Sequence, residues 1–342
     1  MPLSERKLIE RIAQASSARG GSKLIATGIG DDCAVLRVPE GHEMLVTTDF
    51  SLEGVHFRRE WHPADAVGHR CLTRGLSDIA SMGGEPLAAF LSLALPADLP
   101  QRWADQFVKG LLTLARRFGV ILAGGDTAQS PAGVLADITV VGSVPAGQAI
   151  LRSGARPGDS IYVTGELGAP VALLEQMFAN PKRKFRAAAF PAHFYPEPRI
   201  AVARQLRTKK LATAMIDISD GLSTDLRHIC ESSGVGATII ERALPIATLG
   251  RHEVERRQAL HGGDEYQLLF TANPARRVAK QIAGVLITRI GYINEGSEIV
   301  IEHENGYTTE LEPGGWEHFA AAASQRTQPA RRGAAGAGRR NR

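Results

Sequence analysis

The sequence predicts a mixed α/β (α+β) protein in two domains, and three observations carry that reading. Strand-length apolar runs alternate with helix-length amphipathic segments in both halves of the chain. At 342 residues the chain is longer than a single domain usually is. Midway, AILRSGARPGD at residues 149–159 breaks the pattern with two glycines and a proline. The expected division is an N-terminal domain over 1–148, a C-terminal domain over 149–322 and a tail over 323–342.

With 44% apolar and 22% charged residues, the chain has the composition of an ordinary globular protein. No apolar signal region precedes Glu5-Arg6-Lys7, and the longest apolar stretch, near 88–95, is too short to span a bilayer. Cys33, Cys71 and Cys230 are odd in number and lack metal-site spacing, which favours a reducing cytoplasm. The net charge of +4 belongs to the tail. Removing its six arginines, at 326, 331, 332, 339, 340 and 342, leaves −2 for the body. This Gly-, Ala- and Arg-rich segment cannot build a core and reads as disordered, so the basic balance does not imply nucleic acid.

Residues 4–17 predict a helix with Leu8, Ile9, Ile12 and Ala13 on one face. Gly28-Ile29-Gly30-Asp31-Asp32 then forms a loop with adjacent carboxylates, followed by a strand over 34–38. In MLVTTDFSLEGVHF, residues 44–57, an apolar strand closes at Thr47-Thr48-Asp49 and a loop through Glu53-Gly54 presents His56. A helix over 64–81 carries Ser77-Asp78 and is stopped by Gly83-Gly84 and Pro86. A strand over 89–95 and a helix over 101–118 follow, with Gly119 as the C-cap. The strand over 120–123 ends in Gly124-Gly125-Asp126-Thr127, and a strand over 136–144 closes the first half.

The second half predicts a strand over 160–164, a helix over 169–178 and a basic loop over 181–191. A helix over 198–207 and a strand over 214–218 run into Ser219-Asp220-Gly221, with a helix continuing to 232. Strand-like runs flank Gly262-Gly263-Asp264-Glu265-Tyr266 on both sides. A helix from Pro274, strands near 285 and 299, and a hairpin at Asn305-Gly306 complete the pattern.

Asp31, Asp32, Asp49, Asp78, Asp126, Asp217 and Asp220 all read as residues of short glycine- or hydroxyl-flanked loops. Each alone is commonly a helix cap or turn former. Converging in one cleft they repel one another and call for cations, and an all-oxygen donor set selects Mg²⁺ over zinc. Gly124-Gly125 lets backbone N–H groups approach phosphate oxygens. Neither a G-x-x-x-x-G-K-[ST] loop nor a G-x-G-x-x-G fingerprint occurs. The composite points to Mg²⁺-dependent handling of a nucleoside triphosphate without a Walker loop.

GIGDDCAVL, TTDFSLEGVHF, LSDIASMGG, AGGDT, LRSGARPGD, IDISDGLSTDL and GGDEYQLLF occur in that order. In these motifs the chain resembles the thiamine-monophosphate kinases, within the aminoimidazole-ribonucleotide-synthetase-like superfamily, over roughly residues 5–319. The resemblance implies two α/β domains, with N-terminal domains pairing across a homodimer into a barrel-like sheet. It implies transfer of the γ-phosphoryl group of ATP to thiamine monophosphate. It assigns Asp32, Thr47, Thr48, Asp49, Asp78, Asp126 and Asp217 to Mg²⁺, with Asp220 at a further metal site. Gly125, Asp126, Arg152 and Ser219 match ATP-holding positions, and His56 and Trp316 match positions beside thiamine. Asp49, Asp78, Asp126 and Arg152 are the expected catalytic group.

The chemistry agrees with that assignment. Acceptor and donor are both anions, and unit charges 4 Å apart repel by about 1 kcal/mol in water and several-fold more in a partly dry site. Cancelling repulsion then matters more than removing a proton, so no dedicated base is needed. Arg152 suits bidentate phosphate contact or a surface ion pair. His56 reads either as structural or as an acceptor contact, and Trp316 either packs the C-terminus or stacks on a cationic ring.

Two departures from the family pattern stand out. Where that pattern reads Gly-Gly-Glu-Asp-Tyr-Glu, this chain has Gly262-Gly263-Asp264-Glu265-Tyr266-Gln267. The shorter Asp264 is the expected substrate-side acid, reached through loop adjustment or a water. After Thr164-Gly165 a Ser- or Gly-rich turn gives way to Gly168-Ala169-Pro170.

Overall fold

A computed structural model describes residues 5–16, 24–29, 33–250 and 252–318. Its first half runs α1 (Glu5–Ser16), β1 (Ile25–Thr27), β2 (Val35–Leu36), β3 (His42–Leu52), α2 (Ala64–Ser81), β4 (Glu85–Pro96), α3 (Gln101–Phe118), β5 (Ile121–Ser130) and β6 (Leu135–Pro145). The second half begins β7 (Ser160–Thr164), α4 (Ala169–Ala179), α5 (Pro191–Phe194), α6 (Ile200–Thr208), β8 (Ala212–Ile218), α7 (Leu222–Ser233) and β9 (Gly236–Ile240). It ends β10 (Thr248–Leu249), β11 (His252–Glu253), α8 (Arg256–His261), β12 (Gln267–Ala272), β13 (Gln281–Ile282), β14 (Val285–Asn294), β15 (Ile299–Glu302) and β16 (Thr308–Glu310).

The helix α2 carries small or apolar residues around most of its circumference, so it cannot lie on a surface. Fourteen of its eighteen residues are buried, including His69, Arg70, Thr73 and Ser77. Gly68 and Gly110 allow α3 to press against it: a Cβ on either would sit 1.9 Å from a carbonyl oxygen of the facing helix. On its other sides α2 meets β3 and β6 from the first half, and α5, α6 and β8 from the second. One apolar core therefore joins the halves, running from Leu72, Leu76 and Ile138 through Leu206 to Met215 and Phe270.

The N-terminal sheet has the order β3-β6-β4-β5, antiparallel except for the β4–β5 pair. Helices cover one face. Met44, Val46 and Phe50 on the other face of β3 are half or more exposed. The C-terminal sheet has the order β16-β15-β9-β14-β7-β12-β8, with β13 pairing β14, and β15–β9 is its parallel contact. A second core of Val163, Ile216, Ile218, Leu226, Leu269 and Ile290 fills the space under α7.

Several expectations hold to the residue, among them α2, α3 with Gly119 left-handed at φ 68°, and β7. The Asn305-Gly306 hairpin joins β15 to β16 with Gly306 at φ 81°. Others need correction. The strand expected to close at Asp49 continues to Leu52, and the one expected to end at Ala123 continues to Ser130. In both cases a neighbouring strand supplies hydrogen-bond partners past the polar residues. The run before Gly262 is the helix α8, opened by a Glu255/Gln258 capping box. No helix starts at Pro274: the Asn273 side chain accepts the Ala275 N–H and its carbonyl accepts from Arg276, closing a turn instead.

Candidate active site

Helical spacing puts Arg70, Arg74, Ser77 and Asp78 along one side of α2, where it crosses β3 and the end of β8. Thr47 donates its hydroxyl to the Asp78 carboxylate, which also lies within hydrogen-bonding distance of Asp49. Ser77 Oγ donates to Asp217 Oδ2 at 2.6 Å, tying α2 to β8. Burial pushes Asp49 up to about 7, reinforced by Asp78 and opposed by Arg74. Burial also raises Asp78 against the Thr47 hydrogen bond, and raises Asp217 further with Asp78 adding to it. Asp220, also raised by burial, adds its charge to the field at Asp49.

Carboxylates crowded in this way gain from a divalent cation, and an all-oxygen set suits Mg²⁺. Among the described residues, no group of three or more His, Cys, Asp or Glu side chains is arranged to hold a metal as it stands. Asp49, Asp78 and Asp217 spend oxygens on one another, Thr47 and Ser77. The donor chemistry fits the ion.

The sequence reading set these acids at loops, while also carrying Asp78 on the helix over 64–81 and Asp217 in the strand over 214–218. Asp49 and Asp126 lie within β3 and β5, whereas Asp78 lies inside α2 and Asp217 is the penultimate residue of β8, as that reading had them; Asp220 alone of these five occupies a bend. Strand alternation then divides the set. Thr47 and Asp49 face α2, whereas Thr48 turns to the open face and donates to Asp137 Oδ1 at 2.8 Å. Asp126 is exposed in that same open row, opposite Ser92, which pairs with Asp137. Asp32 lies outside the described residues.

Asp137 was missed by sequence reasoning. Its signal is a carboxylate inside the strand-like run Ala136-Asp137-Ile138-Thr139-Val140, and from the neighbouring strand it raises the Asp49 pKa. Gly125 has φ 147°, and a Cβ there would meet Leu91 O at 1.9 Å, so strand pairing itself demands glycine. Arg152 is exposed, and its charge acts on Asp78.

Ser219 and Asp220 sit in a turn that Asp225 organises. Its Oδ2 accepts the N–H groups of Ser219, Asp220 and Gly221 at 3.1, 3.2 and 3.0 Å. Burial nevertheless pushes Asp225 up to about 7, with Asp220 adding repulsion. This organiser was also missed. A carboxylate in the first helical turn after Asp220-Gly221 is its signal.

Beyond this turn the C-terminal segment is strapped onto α7. Gly314 and Gly315 donate N–H groups to Ser223 Oγ and Thr224 Oγ1, and Trp316 N–H donates to Asp220 O. The strap sets Trp316 edge-on to His318, and His318 edge-on to His56, with 5.6 Å between centroids in each pair. Burial and Arg74 hold His56 down at about 4, so its ring is neutral at pH 7. Its Nδ1 accepts the Leu52 N–H at 2.9 Å, leaving the proton on Nε2.

Asp264 faces α2. Arg70 Nη2 reaches its Oδ2 at 2.7 Å, and Arg74 Nη2 and Tyr266 Oη reach its Oδ1 at 3.0 and 2.6 Å. Burial alone would raise its pKa, but the two guanidiniums hold it well below the usual carboxylate range. Both Asp264 and Tyr266 have left-handed backbones, φ 61° and 52°. Glu265 points away, is buried, accepts the Gly168 N–H and is pushed far up by burial.

This two-sheet architecture is that of the AIR synthase related proteins, whose N-terminal domain matches residues 30–144 and whose C-terminal domain matches 156–304. Thiamine-monophosphate kinase of Escherichia coli (strain K12) is 38% identical over 307 residues, covering 86% of this chain and 93% of that protein. The crystal structure of thiamine-monophosphate kinase from Stenotrophomonas maltophilia K279a superposes with a TM-score of 0.76 at 35% identity, over 88% of this chain and 98% of that one. AaThiL complexed with AMPPCP and TMP superposes at 0.73 and 31% identity, over 93% and 99%. The chain belongs to the thiamine-monophosphate kinase family.

Proposed function

We propose that this chain is an ATP-dependent kinase that phosphorylates thiamine monophosphate, giving thiamine diphosphate and ADP. The observation that carries the reading is the adjacency of two half-sites. Asp49, Asp78 and Asp217 cluster beside α2, and Arg74 links them electrostatically to the His56, His318 and Trp316 rings. An acceptor with a flat cationic ring and a phosphate needs both.

An oxygen of the acceptor phosphate attacks the γ-phosphorus while the bond to the β-phosphate oxygen breaks and ADP departs. The attacking oxygen is already anionic, so no base has to remove a proton. Mg²⁺ would be held by Asp49, Asp78 and Asp217 with Asp220 nearby, and when bound it supplies charge neutralisation along the phosphates. Asp126, Gly125, Arg152 and Ser219 are assigned to the ATP side. Neutral His56 offers Nε2–H as a donor, and Trp316 a half-exposed face.

A homodimer is part of this reading. The bare β3 face, with Val46 62% and Phe50 55% exposed, supports pairing of two N-terminal sheets. Among the described residues no helix is long and apolar enough to cross a membrane, and all three cysteines are free. The cytoplasm suits such a chain.

ADP release measured separately with thiamine monophosphate, thiamine and formylglycinamidine ribonucleotide tests the assignment. Turnover is expected with thiamine monophosphate alone and only when Mg²⁺ is present. Equal turnover with either other acceptor would overturn it.

A further inference from the structure

The family pattern puts the longer acid at position 264, whereas this chain has aspartate there and meets it with two arginines. Arg70 and Arg74 lie one helical turn apart on α2, with side chains 4% and 13% exposed, and grip opposite oxygens of one carboxylate. Tyr266 adds a neutral hydroxyl. Two largely buried guanidiniums share one carboxylate at this end of the cleft, and Arg74 spends a single N–H group on it, so its remaining N–H groups can take an anion.

The two arginines are not equivalent. Arg70 is consumed: its Nη1 donates to the His193 carbonyl oxygen and its Nη2 to Asp264. Arg74 gives one Nη2 hydrogen bond to Asp264, and its charge is felt at His56 on one side and at Asp49, Asp78 and Asp220 on the other. It stands four residues before Asp78, one turn up the same helix.

We infer that Arg74 binds the phosphate of the acceptor, and that Asp264, with Arg70 behind it, is the positioning group that aims the guanidinium. The shorter acid at 264 then serves as the arginine's anchor instead of reaching the substrate itself. A planar guanidinium held at one edge presents its remaining N–H groups to a phosphate in fixed geometry. The inference rests on the proposed kinase reading and names the group that meets its acceptor.

The test compares wild type with Arg74→Gln and Arg74→Lys by calorimetric titration, using thiamine monophosphate and thiamine as ligands, with ATP KM measured beside them. Arg74→Gln is expected to weaken thiamine monophosphate by about 10- to 100-fold, the loss of one or two charge-assisted hydrogen bonds. Thiamine, which has no phosphate, should bind as in wild type, and the KM for ATP should stay within about twofold. Arg74→Lys should recover part of the affinity. Asp264→Asn, which keeps Arg74 but loosens it, should fall between wild type and Arg74→Gln. Equal weakening of both ligands would mean a structural role, and unchanged affinity for thiamine monophosphate would mean no role; either overturns the inference while leaving the kinase reading intact. Failure of wild type to bind thiamine monophosphate would overturn both.

Discussion

Acidifying from about pH 7.5 to about pH 5 should remove about 2 kcal/mol of folding stability through His62 alone. His62 is buried, and its Nε2 lies 3.0 Å from Nε2 of His193, also buried. His193 Nδ1–H donates to the Pro170 carbonyl oxygen, so its Nε2 accepts from His62 Nε2–H, and His62 Nδ1 accepts the Arg58 N–H; each ring then carries one proton and is neutral. Burial, with Arg70 adding repulsion, lowers His62 from 6.5 to about 4, while the Arg58 backbone and Asp264 pull weakly the other way. His193 is lowered well below its ordinary value by burial, Arg70 and His62. A depressed histidine pKa means the unfolded chain binds the proton more readily, so stability is full above about 6.5 and drains as pH falls toward about 4. Between those limits each pH unit costs about 1.4 kcal/mol per group, and the about 2 kcal/mol at pH 5 follows. Urea denaturation at both pH values, for wild type and His62→Gln, measures it. Wild type should lose at least about 1 kcal/mol more than the variant across this range. Parallel losses in the two proteins would refute the argument, because the histidine would then not be the group taking up the proton.

Four further outcomes follow from the geometry. Asp49→Asn and Asp78→Asn should each cut turnover by about a hundredfold or more with circular dichroism unchanged, since they lose charge for the cation and keep their shape. Gly125→Ala should lower the unfolding midpoint by about 1–3 kcal/mol equivalent, because its Cβ would strike Leu91 O; an unchanged midpoint would show that β5 shifts freely. Glu265→Gln should be close to neutral in thermal melts, as burial favours the uncharged carboxyl and the amide oxygen can still accept the Gly168 N–H, while Glu265→Ala, which strips that N–H of its partner, should cost about 1–3 kcal/mol. Val46→Arg should shift the mass seen in light scattering from dimer toward monomer if two sheets meet at this face.

Much of the fold was legible in the sequence because it depends on local periodicity and punctuation. The α2 and α3 boundaries follow from proline and glycine at their ends, and the last hairpin from Asn305-Gly306, which any tertiary setting would read in the same way. The residue types of the site were legible too, since each acid alone reads as a cap or turn former but their recurrence beside glycines and hydroxyls points to cation chemistry. Their placement was not. Thr47 and Asp49 meet Asp78 because β3 runs on past its polar residues beside β6, and strand alternation sends Thr48 to the opposite face with Asp137. That outcome depends on the neighbouring strand, which lies about ninety residues away in sequence. The same holds for Arg70 and Arg74. Along the chain they are two basic residues on a helix, 194 and 190 positions from Asp264. Only the burial of α2 between two sheets forces them off the surface, and low-dielectric surroundings then make a single aspartate hold both.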